Sequence, residues 1–229
     1  MKKILHSIII ITVAMLTTGC AELGIRGSVS SDARKNIRNV AVYSGFGTEM
    51  NHTLIATTVF FNEYNKVPVA QWDIKGFSEQ ETINALKEMG IGQSASVFNK
   101  KLHSFNPIDA AKIAHASGYD TLVVLEPSRY GNMHLMEEGY GIFNRTQYLM
   151  EVYNCPYASF IVRAVDTKTA KSLGWQWGFD LLQGPCASEK VRWQENPNNY
   201  TAQDIKIIEG AIKKKIASGI RIALKDLLM

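Results

Sequence analysis

The segment "YDTLVVLEP" at residues 119–127 places the strongest constraint on the fold of this chain. An uninterrupted apolar run closed by a proline is typical of a β-strand that is buried on both faces of a sheet. The preceding residues 106–118 predict a helix, because Pro107 lies in its first turn and Gly118 follows its end. Since "IGQSASVFN" before that helix is another strand candidate, this order predicts parallel neighbouring strands and a right-handed crossover.

Local patterns predict further elements before this unit. A first strand runs from Ile37 to Ser44, and "GFGTEMNH" after it has two glycines and no periodicity, which predicts a loop. The β-branched and aromatic runs "TLIATTVFF" and "VPVAQWDI" predict a hairpin around the polar turn "NEYNK". In "SEQETINALKEMG" the spacing of Ser78 and Glu81 is that of a capping box, so we expect a helix that begins at Ser78 and ends at Gly90.

The C-terminal half contains more strands and a long helix. Residues 128–144 lack a sustained period and predict a long loop or an extended ribbon, whereas "TQYLMEVYN", "YASFIVRAVD" and "LGWQWGFDLL" are strand candidates, the last two joined as a hairpin. A long amphipathic helix that packs on the sheet is predicted from apolar residues spaced by three or four, at Ile205, Ile208, Ile212, Ile216, Ile220 and Leu224. Together the elements predict an α/β fold: a single domain of two or three layers over residues 37–229, with a mixed sheet that has a parallel centre and antiparallel hairpins.

The N-terminus has the pattern of a secretory signal peptide. Lys2 and Lys3 are followed by an apolar run from Ile4 to Leu16 and then by small residues. The run is shorter than the about 20 apolar residues that a membrane-spanning helix needs. We therefore expect residues 1–19 to be removed.

Cys20 directly follows these small residues, an arrangement that resembles the processing site of bacterial lipoproteins. The resemblance implies a diacylglyceryl group on the thiol and an acyl chain such as palmitate on the new N-terminus. Those proteins usually carry Leu where this chain has Thr17, so an ordinary signal peptide followed by a free or disulfide-bonded Cys20 is the alternative. By resemblance to enterobacterial lipoproteins, Ala21 in place of Asp implies the outer membrane, facing the periplasm. Residues 20–36 are small and polar and predict a lipidated tether.

The charge of the processed chain is nearly balanced. Removal of residues 1–19, which contain Lys2 and Lys3 and no acidic residue, leaves 23 basic and 21 acidic side chains in 210 residues. This length is sufficient for one sizeable core or two small ones. The balance argues against nucleic acid or an anionic membrane surface as the partner.

Two cysteines remain when Cys20 is assigned to the lipid. Cys155 and Cys186 flank a predicted pair of strands, and an oxidising periplasm favours a disulfide between them. Such a bond typically stabilises a fold by about 2–4 kcal/mol. Two buried free thiols, or a metal-binding pair, are the alternatives.

The layout resembles a periplasmic α/β domain shared by three groups of proteins. These are the curli-secretion lipoproteins, the N-terminal domain of the Tol-system propeller protein, and lipoprotein activators of peptidoglycan synthases. The resemblance covers residues 37–227 and rests on short motifs at Ser117, Gly118, Asp120, Asp166, Thr167 and Lys168. It implies an envelope function, and for the curli family a ring of identical copies. The membrane-inserting segments of that family are not evident in this sequence, so a pore is not predicted.

Catalytic, metal and cofactor motifs are absent from the sequence, which has no Gly-x-Ser-x-Gly, HExxH, GxGxxG or phosphate-binding-loop pattern. The candidate bases are far apart in the chain, at His52, His103, His115 and His134. Glu126 ends the buried strand, where open α/β sheets bind ligands, although it is also placed to bond a backbone amide or Arg129. We therefore predict no catalytic residue, metal ligand or cofactor. A crevice near Ser44, His52 and Glu126 is the alternative place for a small ligand.

Aromatic residues supply the candidate contacts with a protein partner. Trp175, Trp177 and Phe179 alternate onto one face of a strand, and we expect them to be core residues packed against the C-terminal helix, with an exposed adhesive surface as the alternative. The predicted loop residues Tyr140, Phe143 and Trp193 are the partner-contact candidates, because binding residues concentrate in loops on a rigid scaffold.

These features predict a lipid-anchored outer-membrane protein that acts by protein contact, as an accessory or assembly factor of an envelope system. The alternative is a protein that binds a small ligand or glycan, or a hydrolase, at the crevice near Ser44, His52 and Glu126. A third interpretation is a structural ring of copies, which rests on the family resemblance.

Overall fold

A computed structural model of the chain describes residues 26–56, 62–100, 106–129, 137–145, 154–179 and 191–229. The predicted signal peptide, Cys20 and Cys186 lie outside these ranges. In chain order the elements are α1 (Ser31–Arg34), β1 (Asn39–Ser44), β2 (Glu49–Ile55), β3 (Glu63–Pro68), α2 (Ile74–Glu88), β4 (Ser94–Val97), α3 (Pro107–Ala116), β5 (Thr121–Pro127), β6 (Gly139–Arg145), β7 (Cys155–Asp166), β8 (Lys171–Trp177) and α4 (Ala202–Leu228).

The strands form one mixed sheet, which confirms the predicted fold class. Its order is β3-β2-β6-β7-β5-β1-β4, and β8 also pairs with β7. Strand β1 has parallel partners on both sides, β4 and β5. The order β4, α3, β5 predicted that these two strands are parallel neighbours; both run parallel to β1, but β1 lies between them. The hairpins β2–β3 and β7–β8 are antiparallel.

The sheet changes partners halfway along β7. The pairing of β5 with β7 ends at Phe160, and the pairing of β6 with β7 begins at the adjacent residue Ser159. Similarly, β2 begins five positions after Ser44, the last residue of β1, and it pairs with β6 in parallel. The ends of β1 and β5 therefore lie close to the starts of β2 and β6, where they enclose a cleft.

Helices cover both faces of the sheet, so the domain has three layers. Alternation along β5 separates its side chains, because successive residues point to opposite faces. Val123 and Leu125 belong to a core to which α2 contributes Leu86 and α4 contributes Ile212, Ile216, Ile220 and Leu224. Leu122 and Val124 pack on the other face against the alanines of α3. The predicted C-terminal helix is confirmed, and it begins at a capping box formed by Thr201 and Asp204.

The predicted hairpin is wrong in register and length. The segment "GFGTEMNH" was expected to be a loop, yet β2 starts at Glu49 within it, and the expected turn "NEYNK" supplies most of β3. The predicted second strand "VPVAQWDI" instead ends β3 at Pro68 and then forms a 3-10 turn over Ala70–Trp72.

The predicted capping box at Ser78 is also wrong. Helix α2 begins four residues earlier, at Ile74, with Asp73 as its N-cap in the left-handed conformation (φ 44°). The Asp73 carboxylate accepts a hydrogen bond from the Gly76 amide, and Ser78 is a buried residue of the second turn. Asp can adopt this backbone conformation more readily than most residues, which allows Asp73 to serve as the N-cap. Asp73 lies in the segment "VPVAQWDI", which we expected to be a strand.

Of the two alternatives for residues 128–144, a long loop or an extended ribbon, the loop is wrong in the last part of the range. Residues 139–144 belong to β6, which is paired on both sides. Gly141 permits this pairing, because a Cβ atom there would lie 2.1 Å from the main-chain oxygen of Asn51. The strand candidate "TQYLMEVYN" falls mainly in residues outside the described ranges.

The tryptophans of β8 do not pack against α4 as expected. Gly174 faces the helix, since a Cβ there would lie 3.2 Å from a side-chain carbon of Leu227, and Gln176 shares its side of the strand by alternation. Gly178, directly after β8, approaches α4 so closely that its main-chain oxygen would lie 2.1 Å from a Cβ at Gly219. Trp175 and Trp177 therefore point to the opposite face, where both are half-buried.

The described part of the predicted tether is packed on the domain. Val29 is buried, and its amide donates a hydrogen bond to the Leu227 carbonyl at 2.7 Å. The Arg34 guanidinium donates to the carbonyl oxygens of the last two residues of the chain. Residues 26–36 therefore do not extend away from the domain.

Candidate functional site

Strand β3 lies at an edge of the sheet and is exposed along nearly its whole length. Its described partner is β2 alone, and Glu63, Tyr64, Asn65 and Lys66 are all exposed. The Tyr64 side chain is one of the few large apolar groups on the described surface, with an exposed fraction of 49%. An exposed edge strand offers unpaired main-chain groups to another chain.

The hydrogen-bond alternation identifies which groups of β3 face outward. The Val69 amide donates to the Thr48 carbonyl at 2.7 Å, so this pair bonds inward. In an antiparallel ladder, inward-bonded and outward-directed residues alternate. The main-chain amide and carbonyl groups of Tyr64 and Lys66, and the main chain of Pro68, are therefore directed away from β2. The position of Pro68 agrees with this, since proline is tolerated where no amide is required by the ladder.

A cleft of about 340 Å³ opens beside this edge. It lies at the carboxyl ends of β1 and β5, which is where open α/β sheets usually bind ligands. The residues that line it are Phe46, Gly47, Thr48, Glu49, Lys66, Pro127, Glu138, Gly139 and Tyr140. Lys66 thus belongs to both the exposed edge and the wall of the cleft.

Two carboxylates and one ammonium group give the cleft a net negative charge. Glu49 and Glu138 are both exposed, and the Lys66 ammonium donates to the Asn51 side chain. Burial, with a smaller contribution from the charge of Glu49, raises the pKa of Tyr140 to about 12. Sequence patterns did not identify Glu49 and Glu138, because both were assigned to loops.

Tyr140 and Phe143 lie on β6 rather than in a loop, and their rings are buried. Tyr140 is 2% exposed, contacts Phe46 edge-on, and donates its hydroxyl proton to the Gly47 carbonyl. Phe143 is 7% exposed and packs in a separate cluster with Tyr157. Neither ring is placed on the surface as the partner-contact prediction requires.

Trp193 is half-buried and stacks on His52, with ring centroids 4.0 Å apart. The His52 imidazole is 1% exposed and lies 3.4 Å from the Tyr200 hydroxyl, which donates to Asn154. Burial lowers the pKa of His52 from 6.5 to about 4. These contacts make His52 a buried packing residue that is neutral at neutral pH.

Ser44, His52 and Glu126 do not share a crevice. Ser44 is opposite Leu125 in the β1–β5 register, and paired residues point to the same face of a sheet. Glu126 follows Leu125 and therefore points to the other face. The Ser44 hydroxyl accepts from Ser78, and its amide donates to the Glu79 carboxylate. Each of the three predicted residues therefore has a separate set of partners.

Glu126 forms an ion pair with Arg163 rather than with Arg129. The Arg163 guanidinium donates to both carboxylate oxygens, at 2.6 and 3.3 Å, and its side chain is 9% exposed. Arg129 instead pairs with Glu137 at 2.7 Å. A two-point pair of this kind favours a structural role for Glu126.

Cys155 is the first residue of β7 and is buried beside Phe143 and Tyr157. Cys186 lies outside the described ranges, so the disulfide between the two cysteines stays a prediction. Within the described residues, no group of three or more His, Cys, Asp or Glu side chains is positioned to hold a metal ion. None of the helices in these ranges has the length and apolar character needed to cross a bilayer.

Comparisons with known proteins show no close relative. No protein-family model matches the chain, and no curated protein matches it. Among solved structures, protein XCC0632 of Xanthomonas campestris, from the family DUF330, has 5% identity and a TM-score of 0.39, over 87% of this chain and 88% of that one. The PelC dodecamer of Paraburkholderia phytofirmans has 10% identity and a TM-score of 0.32, over 85% and 93%.

The lipoprotein GNA1162 of Neisseria meningitidis has 15% identity and a TM-score of 0.30, over 79% of this chain and 98% of that one. All three TM-scores are below 0.5, and no step of the functional argument uses them. The families named from the sequence pattern are not among these structures, so that resemblance stays a prediction.

Proposed function

We propose that the chain is a lipid-anchored protein of the bacterial outer membrane that faces the periplasm and binds an extended segment of an envelope protein along β3. The observation that carries the binding mode is the exposed edge with outward main-chain groups at Tyr64 and Lys66. The anchor rests on the signal peptide and Cys20. The function is contact with a protein partner, with no role in catalysis.

An incoming strand would extend the sheet at β3. It would bond the amide and carbonyl groups of Tyr64 and Lys66, and each such bond contributes about 0.5–1.5 kcal/mol. The half-exposed ring of Tyr64 offers an apolar anchor of the type that dominates many interfaces. Main-chain bonds supply affinity in this mode, and side-chain pockets supply specificity.

The cleft beside Lys66 suits one side chain of the bound segment. Glu49 and Glu138 favour a basic group there, since opposite charges attract and the volume of about 340 Å³ accommodates a long side chain. A tether at Cys20 would hold β3 near its partner and raise the effective concentration.

The alternative of a small-ligand or glycan site, or of a hydrolase, receives less support. It was predicted at a crevice containing Ser44, His52 and Glu126, and these residues have separate partners. A ring of copies is a competing use of the same edge, since a second copy can also pair with β3.

The test is photocrosslinking in intact cells from a photoreactive residue at position 64, combined with a substitution of Lys66. Lys66→Pro removes the outward amide and leaves the ladder to β2 in place, as Pro68 does. We expect capture of one dominant envelope protein to fall at least about five-fold, the equivalent of about one main-chain hydrogen bond. The measurement is the crosslinked fraction, followed by mass spectrometry.

Lys66→Ala is the matched control, because it removes the same ammonium group and keeps the amide. Capture in this variant should stay well above that of the Lys66→Pro variant. Equal capture by the Pro and Ala variants would refute pairing along β3. A crosslinked product made only of this chain would assign the edge to a ring of copies.

A further inference from the structure

The N-terminal segment enters the domain along the outer edge of β8. Gly27 forms an antiparallel bridge with Trp175, and its amide donates to the Trp175 carbonyl at 3.3 Å. Because the bridge is antiparallel, residues before Gly27 run beside residues after Trp175. Arg26 accordingly donates to the Gln176 side chain. The described chain therefore begins at Arg26, beside Gln176 on the outer edge of β8.

Trp175 and Trp177 form an apolar pair at this edge. Their rings meet edge-to-face, with centroids 5.6 Å apart, and both residues are half-buried. An indole ring combines a large apolar body with one polar N–H group. This combination is favoured at the interface between a bilayer and water.

The length of chain before Arg26 limits how far this pair lies from the membrane. Five residues, 21–25, separate Arg26 from Cys20, and the six residue steps between them span at most about 20 Å when the chain is fully extended. Acyl chains on Cys20 would therefore enter the bilayer within about 20 Å of the β8 edge.

We propose that Trp175 and Trp177 dock on the phospholipid surface of the membrane that carries the anchor. This proposal rests on the lipidation of Cys20 in the proposed function. Docking adds a second attachment point to the acyl chains and fixes the orientation of the domain. Stable membrane attachment commonly combines a lipid with a second binding element in this way.

The experiment uses the full lipidated protein in phosphatidylcholine vesicles with brominated acyl chains, which quench nearby tryptophans. The chain has four tryptophans, and two of them form this pair. Relative to unbrominated vesicles, we expect the emission to fall by up to about one half. Trp175→Phe together with Trp177→Phe should abolish the quenching. Trp193→Phe, the control variant, should retain it.

Flotation of the same vesicles separates the two proposals. Protein that floats with the vesicles and shows no quenching overturns the docking of Trp175 and Trp177, while the anchor stands. Protein that does not float overturns the anchor at Cys20. The emission could instead fall equally in brominated and unbrominated vesicles as the protein density in the membrane rises. This result would assign the tryptophan pair to contact with a second copy and would also overturn docking on lipid.

Discussion

Gly219→Ala should destabilise the domain by about 3 kcal/mol, although alanine is the better helix former. Its Cβ would lie 2.1 Å from the main-chain oxygen of Gly178 and 3.1 Å from the Phe160 ring. Gly178 has no room to retreat, because the same Phe160 ring lies against it. Helix α4 would have to move off β8, which opens the largest core. The measurement is the free energy of unfolding in urea.

Gly210→Ala is the matched control for this experiment. Gly210 lies in the same helix, and a Cβ there would meet no atom within 4 Å. The substitution should raise the free energy of unfolding by about 0.5–1 kcal/mol through helix propensity alone. If both variants were equally stable, the close approach of α4 and β8 would be wrong.

His52 should make the domain less stable as the pH falls from about 6.5 to about 4. Burial lowers the pKa of His52 to about 4 in the folded protein, whereas the unfolded chain binds the proton near 6.5. Between these values the unfolded state holds more protons, so the free energy of unfolding decreases with decreasing pH. The loss amounts to up to about 3 kcal/mol at the acid end.

The check is urea unfolding of the wild type and of His52→Phe at pH 7 and pH 5. Phenylalanine keeps an aromatic ring against Trp193 and cannot titrate. Other titrating groups contribute to both proteins, so their difference isolates His52. The wild type should lose about 2 kcal/mol more than the variant between these two values. An identical loss in both proteins would contradict a buried, neutral His52.

The elements with strong local signals were predictable from the sequence. Strand β5 is an apolar run because it is covered on both faces, and α3 has Asn106, Pro107 and Gly118 at its ends. Helix α4 repeats its apolar positions because one side packs on the sheet. In these segments, burial and backbone geometry require particular residue types at fixed spacings, so the local sequence pattern shows the element.

Strand β3, at which we propose that a partner binds, was not predicted because its residues carry no such local pattern. Strand β3 buries neither face, so Glu63, Asn65 and Lys66 show no alternation and were assigned to a turn. The glycines around Tyr140 indicated a loop, whereas Gly141 is required by the close approach of β2. The two errors have different causes. Strand β3 has no buried face to impose a pattern on its residues, whereas Gly141 reflects a tertiary contact that a local pattern does not contain.

The most direct measurement compares photocapture from position 64 in cells that make the lipidated protein and a secreted form without lipid. In the second form, a signal peptide cleaved without lipidation replaces residues 1–20. The account predicts that capture of the envelope partner falls at least about ten-fold without the lipid, because tethering supplies the effective concentration. Equal capture at equal protein levels would contradict a function that depends on the membrane anchor.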